Sequence, residues 1–258
     1  MNKREYINDK YYIEKVGVGK PLYIIGGGPG LDYSYMYKWL VNLSKTRELV
    51  FYNQYGLNEN EDTSLDILIN QLHLILTKDS DEKDVLVHSF GAHLLFCVLS
   101  KYDDVKIGKI IAINPSETNS KYIVSNDENL LSRIPENINR KVKCLEEKEE
   151  KESRSMIMSI LLPYYVYDER IKIDFSIYNN QMCDKIESEV GTFDFSDVVR
   201  SLKKDILLIK GEYDFISITS TLELQIVAKK TVIYNKCGHF AFAEKKLECI
   251  KEIEKFLN

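Results

Sequence analysis

Apolar residues in this chain fall into short runs that alternate between two spacings. One kind of run is continuous and bounded by turn residues: 22–25, 48–52, 84–87, 108–113, 205–209 and 231–234. Their length and their Val, Ile and Leu content predict buried strands. The other kind repeats at helical spacing, as in Tyr35, Trp39 and Leu43, then Leu65, Leu68, Ile69, Leu72 and Ile75, then the stretch 92–99. Asp62, Thr63 and Ser64 supply N-capping side chains for the second of these. Residues 5–16 read as one or two N-terminal strands, and residues 242–257 as a closing helix. Strands alternating with crossover-length helices predict an α/β fold, a mostly parallel sheet covered by helices on both faces.

The alternation stops between residues 116 and 195, where the chain becomes polar and charged. The run 146–152 consists entirely of Glu and Lys and reads as a solvated helix face. Directly after it comes 156–165, rich in Met, Ile, Leu and Tyr. Methionine and aromatic side chains suit an adaptable apolar pocket wall, which makes Met158, Leu162 and Tyr165 candidates for substrate contact. Packing of an insertion onto its parent domain would explain the same stretch. The parallel pattern resumes at Asp205. The organisation expected is therefore a core domain over 1–115 and 196–258, interrupted by an inserted helical cap over 116–195.

Composition narrows the setting. A length of 258 residues permits one large domain with a sizeable core or two small ones, and a net charge of −5 gives no electrostatic reason to expect nucleic acid or an anionic membrane as partner. No run approaches the roughly 20 apolar residues of a membrane helix, and the first residues carry no apolar signal stretch. Five cysteines are scattered without paired spacing, which fits a reducing cytoplasm and neither a disulfide framework nor a zinc site. No metal or cofactor is expected, and the partner expected is a small molecule or short peptide. Nothing in the sequence sets an oligomeric state.

The chemistry sits where strands end. Val87-His88-Ser89-Phe90-Gly91 lies between a strand and a helix, the context in which a nucleophile elbow presents a serine hydroxyl above a sheet. Serine is a poor nucleophile at neutral pH unless a histidine takes its proton and a carboxylate orients that histidine. Asp214 follows strand 205–209, at the sheet end where catalytic groups gather, and Glu212 is nearer the strand with less reach. His239 follows strand 231–234, behind Gly238. Of the other three histidines, His73 and His93 fall inside helix patterns and read as structural, while His88 should point away from the base. Gly26-Gly27-Gly28-Pro29-Gly30 follows the strand expected beside the elbow, so the Gly28 and Phe90 N–H groups are candidates for an oxyanion hole. A phosphate loop is a poor match, because G-x-G-x-x-G spacing and a following P-loop lysine are missing. Val87 stands where such elbows carry their first glycine, which implies a local rearrangement of the turn.

These segments resemble the α/β-hydrolase superfamily, and within it the proline iminopeptidases. Residues 26–30 look like the HGGPG loop of those enzymes, with Gly26 in place of its histidine, and Asn53-Gln54-Tyr55-Gly56 resembles their DQRG motif. Residues 191–194, 211–214 and 238–239 are similar to their cap exit, acid loop and histidine loop. The resemblance implies an α/β-hydrolase fold and a serine hydrolase that cleaves esters or amides through an acyl-enzyme, with Ser89, Asp214 and His239 as triad. It also implies acidic groups that hold a free substrate amine. Phe215 occupies one position where such an acid can stand, leaving Asp184, Glu187 and Glu189 of the cap as candidates. The stretch 88–92 is similar to the elbow of stand-alone thioesterases, so acyl or peptidyl thioesters are an alternative substrate. The altered glycine motifs keep open a non-catalytic binding protein on the same fold.

Overall fold

A computed structural model describes residues 3–58, 61–147 and 151–258, and in it the apolar runs pair into one eight-stranded sheet. The strands are β1 (Lys3–Tyr6), β2 (Tyr12–Val16), β3 (Pro21–Ile25), β4 (Glu48–Phe51), β5 (Lys83–Ser89), β6 (Ile107–Pro115), β7 (Ile206–Gly211) and β8 (Lys230–Tyr234). Their order across the sheet is β1-β2-β4-β3-β5-β6-β7-β8. β1 and β2 pair antiparallel, as do β2 and β4, and every pairing from β4 to β8 is parallel.

Side chains alternate along a strand with period two, so a strand buried on both faces feeds two cores. Tyr23, Ile25, Val85, Val87, Ile110, Ala112, Ile206 and Leu208 enter one apolar cluster. Leu22, Ile24, Leu86, Ile111, Ile113, Leu207 and Ile209 enter the other. Over the first face lie α2 (Leu65–Leu76) and α3 (Phe90–Lys101), and Ser64 Oγ caps α2 by accepting the Ile67 N–H. Over the second lies α1 (Ser34–Leu40), which continues as a 3₁₀ turn over Val41–Lys45.

Between β6 and β7 the chain forms α4 (Ile123–Leu131), α5 (Glu136–Glu146), α6 (Lys151–Leu161), α7 (Asn180–Val190) and α8 (Ser196–Ser201). Of the acidic run over 146–152, residues 148–150 fall outside the described residues. After β7 come α9 (Leu222–Val227), α10 (Ala241–Glu244) and α11 (Lys246–Leu257). The closing helix expected over 242–257 is thus two helices, broken at Lys245, where φ −125° and ψ 44° leave the helical region. The two bury different surfaces, Phe242 in the first and Cys249, Ile253 and Leu257 in the second. Among the described residues no helix is long and apolar enough to cross a membrane.

The strand order reverses at β3, since the chain leaves β3 toward β4 on one side and β5 toward β6 on the other. A crevice opens at the carboxyl ends of two strands related in this way. The glycine loop leaves the end of β3, and Ser89 closes β5 beside it.

Candidate active site

Ser89, the last residue of β5, is held in a backbone conformation that an ordinary residue avoids, φ 51° and ψ −127°, directly before the first turn of α3. Such strain costs about 1–3 kcal/mol and persists only where packing enforces it. Here Gly91 enforces it: a Cβ at that position would lie 2.3 Å from the Ile25 carbonyl oxygen, so helix and strand meet at a distance only glycine allows. Val87 is fully buried in the cluster that also takes Ala92 and Leu95. The β5–β6 register shifts between His88 and Ser89, which places the irregularity one residue beyond the missing glycine.

The glycine loop is fixed by two side chains. Gln54 Nε2 donates to the Gly27 carbonyl at 3.2 Å and Gln54 Oε1 accepts the Gly30 N–H at 3.3 Å, which gives the Asn53–Gly56 motif its structural role. Tyr35 Oη accepts the Gly27 N–H at 2.6 Å and lies 2.9 Å from His88 Nδ1, while His88 Nε2 lies 3.0 Å from the His239 carbonyl oxygen. A carbonyl can only accept, so His88 Nε2 carries the proton. Burial, then the nearby His239, pushes His88 down to about 3, so its ring is neutral and its Nδ1 accepts from Tyr35. His88 was expected to point away from the base; instead it bridges the glycine loop and the backbone of the histidine. With the Gly27 N–H engaged, the next donor along the loop is Gly28. Phe90, as the first helical residue, has an N–H with no carbonyl a turn earlier to receive it. Both residues stand on the wall of the cavity above Ser89.

Asp214 and His239 meet at the ends of β7 and β8. His239 Nδ1 lies 2.8 Å from Asp214 Oδ1, and both side chains are buried. Burial alone would raise the Asp214 carboxyl, but the charges of Lys210 and His239 outweigh it and hold the group below the usual carboxylate range. An ionised Asp214 accepts the Nδ1 proton and leaves Nε2 as the free, basic nitrogen. Asn114, with φ 42° at the end of β6, donates from Nδ2 to Asp214 Oδ2 at 2.8 Å and to the Gly238 carbonyl at 3.2 Å. Its Oδ1 accepts the Ala241 N–H at 3.3 Å. Between α6 and α7, the Tyr165 carbonyl accepts the His239 N–H at 2.7 Å, and the approach is so close that a Cβ on Gly238 would sit 2.3 Å from that oxygen. Ser89 and His239 face the same cavity, and among the described residues no hydrogen bond joins them. In sites without substrate this contact is commonly long and tightens on binding.

The cavity has a volume of about 370 Å³. Met158, Leu162 and Tyr165 stand on its wall, with Phe215 against both Tyr165 and the His239 ring. Of the α7 acids Asp184, Glu187 and Glu189, only Glu187 lines it; Glu189 accepts the Leu65 N–H instead. Two further carboxylates do as well, Glu117 after β6 and Asp127 on α4. All three are raised from their ordinary values, first by burial, and Glu117 and Glu187 further by repulsion from Asp127. Among the described residues no lysine or arginine lines the cavity. Ser116 Oγ and His93 Nε2 are buried there without a protein partner. His93 therefore is not simply interior packing: its ring is stacked on Phe90 and edge-on to Phe193 and Phe195, yet the residue also lines the cavity and its Nε2 has no protein partner.

Lys210, Asn114, Glu117 and Asp127 escape pattern reading. A lysine inside an apolar strand, four residues before the acid, is the one signal that points to a partner, since buried lysines are almost always paired. Asn114 and the two acids carry no local signature; their roles come from segments far apart in sequence.

No family model and no curated protein sequence matches this chain. Solved structures do. A serine hydrolase of the bacterium Cycloclasticus zankles superposes with a TM-score of 0.68 at 13% identity, covering 100% of this chain and 97% of the other. VinJ gives 0.71 at 11% identity over 99% and 98%. Proline iminopeptidase of Mycobacterium smegmatis gives 0.67 at 15% identity over 100% and 97%. With the sheet order and the elbow, these likenesses establish that the chain has the α/β-hydrolase fold.

Proposed function

We propose that this protein is a serine hydrolase that transfers an acyl group through Ser89 to water, and that its preferred acyl groups carry a cationic amine. The observation that carries the reading is the buried Asp214–His239 hydrogen bond of 2.8 Å facing, across one cavity, a serine held in a strained elbow. In the reaction Ser89 Oγ attacks the carbonyl carbon as its proton passes to His239 Nε2. The Gly28 and Phe90 N–H groups receive the charge on the carbonyl oxygen. The bond to the leaving group breaks, and His239 returns the proton to that group. Water then attacks the Ser89 ester, giving its proton to His239, and the acid departs as Ser89 is re-protonated. Asp214 stays ionised throughout and stabilises the imidazolium.

The amine preference is supported by Glu117, Asp127 and Glu187, three acids in a mostly apolar cavity whose repulsion a bound ammonium would relieve. One structural neighbour is named a proline iminopeptidase, which agrees with it. The test pairs a fluorophosphonate probe with a small substrate panel. Wild type is expected to label and Ser89→Ala not to; no labelling of either rules out the hydrolase. Proline and alanine arylamides should be cleaved, and N-acetylation should lower kcat/KM by about 10–100-fold, the worth of one charge-assisted contact. Equal rates on free and acetylated substrates remove the amine preference and leave an unspecialised esterase or amidase.

A further inference from the structure

The acid of this triad carries a cation of its own. Lys210, the penultimate residue of β7, is 1% exposed, and its Nζ lies 2.7 Å from Asp214 Oδ2 and 2.8 Å from the Ile216 carbonyl oxygen. Asp214 Oδ1 accepts from His239 Nδ1 and, at 3.2 Å, from the Ile216 N–H; Oδ2 accepts from Asn114 and Lys210. All four acceptor directions of the carboxylate are therefore occupied. The loop 211–216 wraps around the ammonium, which pins its acid and its last carbonyl at once.

A catalytic carboxylate in a dry site does two things to its histidine: it orients the ring, and its charge stabilises the imidazolium. A lysine bonded to the opposite oxygen strengthens the first effect and opposes the second. We propose that Lys210 is a positioning residue for Asp214 that also offsets its charge, so that the Lys210–Asp214–His239 unit rests neutral and the base stays unprotonated to lower pH than a solitary Asp214 would allow; its catalytic consequence rests on the triad reading above. The ammonium repels the proton His239 takes from Ser89, which makes the base readier to return it to the leaving group.

Other ionisable groups surround the pair. His88 on β5 and the Tyr165 phenol of the cap are both kept neutral by burial. Arg133, beyond α4, donates to the Tyr213 and Asp214 carbonyl oxygens. Glu117 follows β6, Cys237 lies in the histidine loop, and Glu244 accepts the Gly238 N–H. All of them are the same in wild type and in Lys210 variants, so a comparison between the two isolates the lysine.

The experiment is a proton NMR titration of the His239 ring, assigned with His239→Gln, in wild type, Lys210→Met, Lys210→Gln and Lys210→Arg. Each protein is also assayed for kcat/KM against pH and for its melting temperature. Removing the positive charge should move the His239 midpoint upward by roughly one to two pH units in the Met and Gln variants. The acidic limb of kcat/KM should move with it, costing about tenfold per unit at pH values below the limb, while Lys210→Arg stays with wild type. A midpoint and a limb unmoved in a folded neutral variant overturn the proposal. So does the failure of both neutral variants to fold, which would assign Lys210 to stability alone. Should wild type not react with fluorophosphonate, the hydrolase reading falls, and the NMR midpoints still decide the charge offset.

Discussion

Asn114 shows how much of the site rests on one uncharged side chain. It holds the acid through Oδ2 of Asp214, the histidine loop through the Gly238 carbonyl, and the start of α10 through the Ala241 N–H. It does so from a left-handed backbone position that asparagine tolerates better than most residues. Asn114→Ala strips a buried carboxylate oxygen and a buried carbonyl of a donor and adds backbone strain. The expected loss of stability is about 2–4 kcal/mol, together with a fall in kcat that exceeds the change in KM, because the loss reaches substrate only through the orientation of His239. Denaturant unfolding and steady-state kinetics on one preparation check both parts. An unchanged kcat in a destabilised variant would make Asn114 a structural residue with no bearing on the base. At this scale the sequence is legible where chemistry has a local signature and silent elsewhere. Ser89 is announced by the strand, the turn and the helix around it, whereas Asn114 ends a strand like any other asparagine and acquires its role from Asp214, one hundred residues later.

At the scale of elements, the alternation of buried strands and helices was readable because period two and period 3.6 leave different marks on a sequence. The region between β6 and β7 was readable only as a departure from that alternation. Its helices pack partly on each other and partly, through Met182, Ile186 and Val199, on the first apolar cluster, so their apolar faces are narrow and their sequences mostly polar. What ties this region to the candidate site is equally hidden. Glu244, in α10, accepts the Gly238 N–H at 2.8 Å through one oxygen and the Tyr167 and Asp168 N–H groups at 2.7 and 3.3 Å through the other. One carboxylate thus staples residues 167–168, between α6 and α7, to the loop that carries His239. Glu244→Ala leaves three backbone donors to find water. The expected outcome is a kcat lower by about tenfold, a destabilisation of about 1–3 kcal/mol, and faster proteolytic cleavage near residues 165–168. Wild-type kcat with intact resistance to protease would show that the Tyr165 carbonyl alone suffices to place the histidine loop.

At the scale of the whole molecule, the buried ionisable groups make stability a function of pH, and they pull in two directions. His88 and His93 are pushed down to about 3 and about 4 by burial, so both are neutral in the folded protein across the neutral range. The unfolded chain takes up their protons near the ordinary histidine value of about 6.5, before the folded protein does. The sign follows: their contribution is whole above that value and is lost as pH falls toward their folded values. Glu117, Asp127, Glu187 and Glu244 are raised by burial and act oppositely, since the folded protein takes up their protons first. A single stability curve would mix the two, but the difference between wild type and one variant does not. His93→Phe keeps an aromatic ring among Phe90, Phe193 and Phe195 and removes the buried, unpartnered Nε2. Relative to wild type this variant should gain about 1.4 kcal/mol for each pH unit between about 6.5 and 4, reaching roughly 3 kcal/mol, with little difference in the slope of the two curves above pH 7. Urea unfolding at half-unit pH intervals measures it. Parallel curves down to pH 4 would mean that His93 takes up its proton in the folded protein as readily as in the unfolded chain.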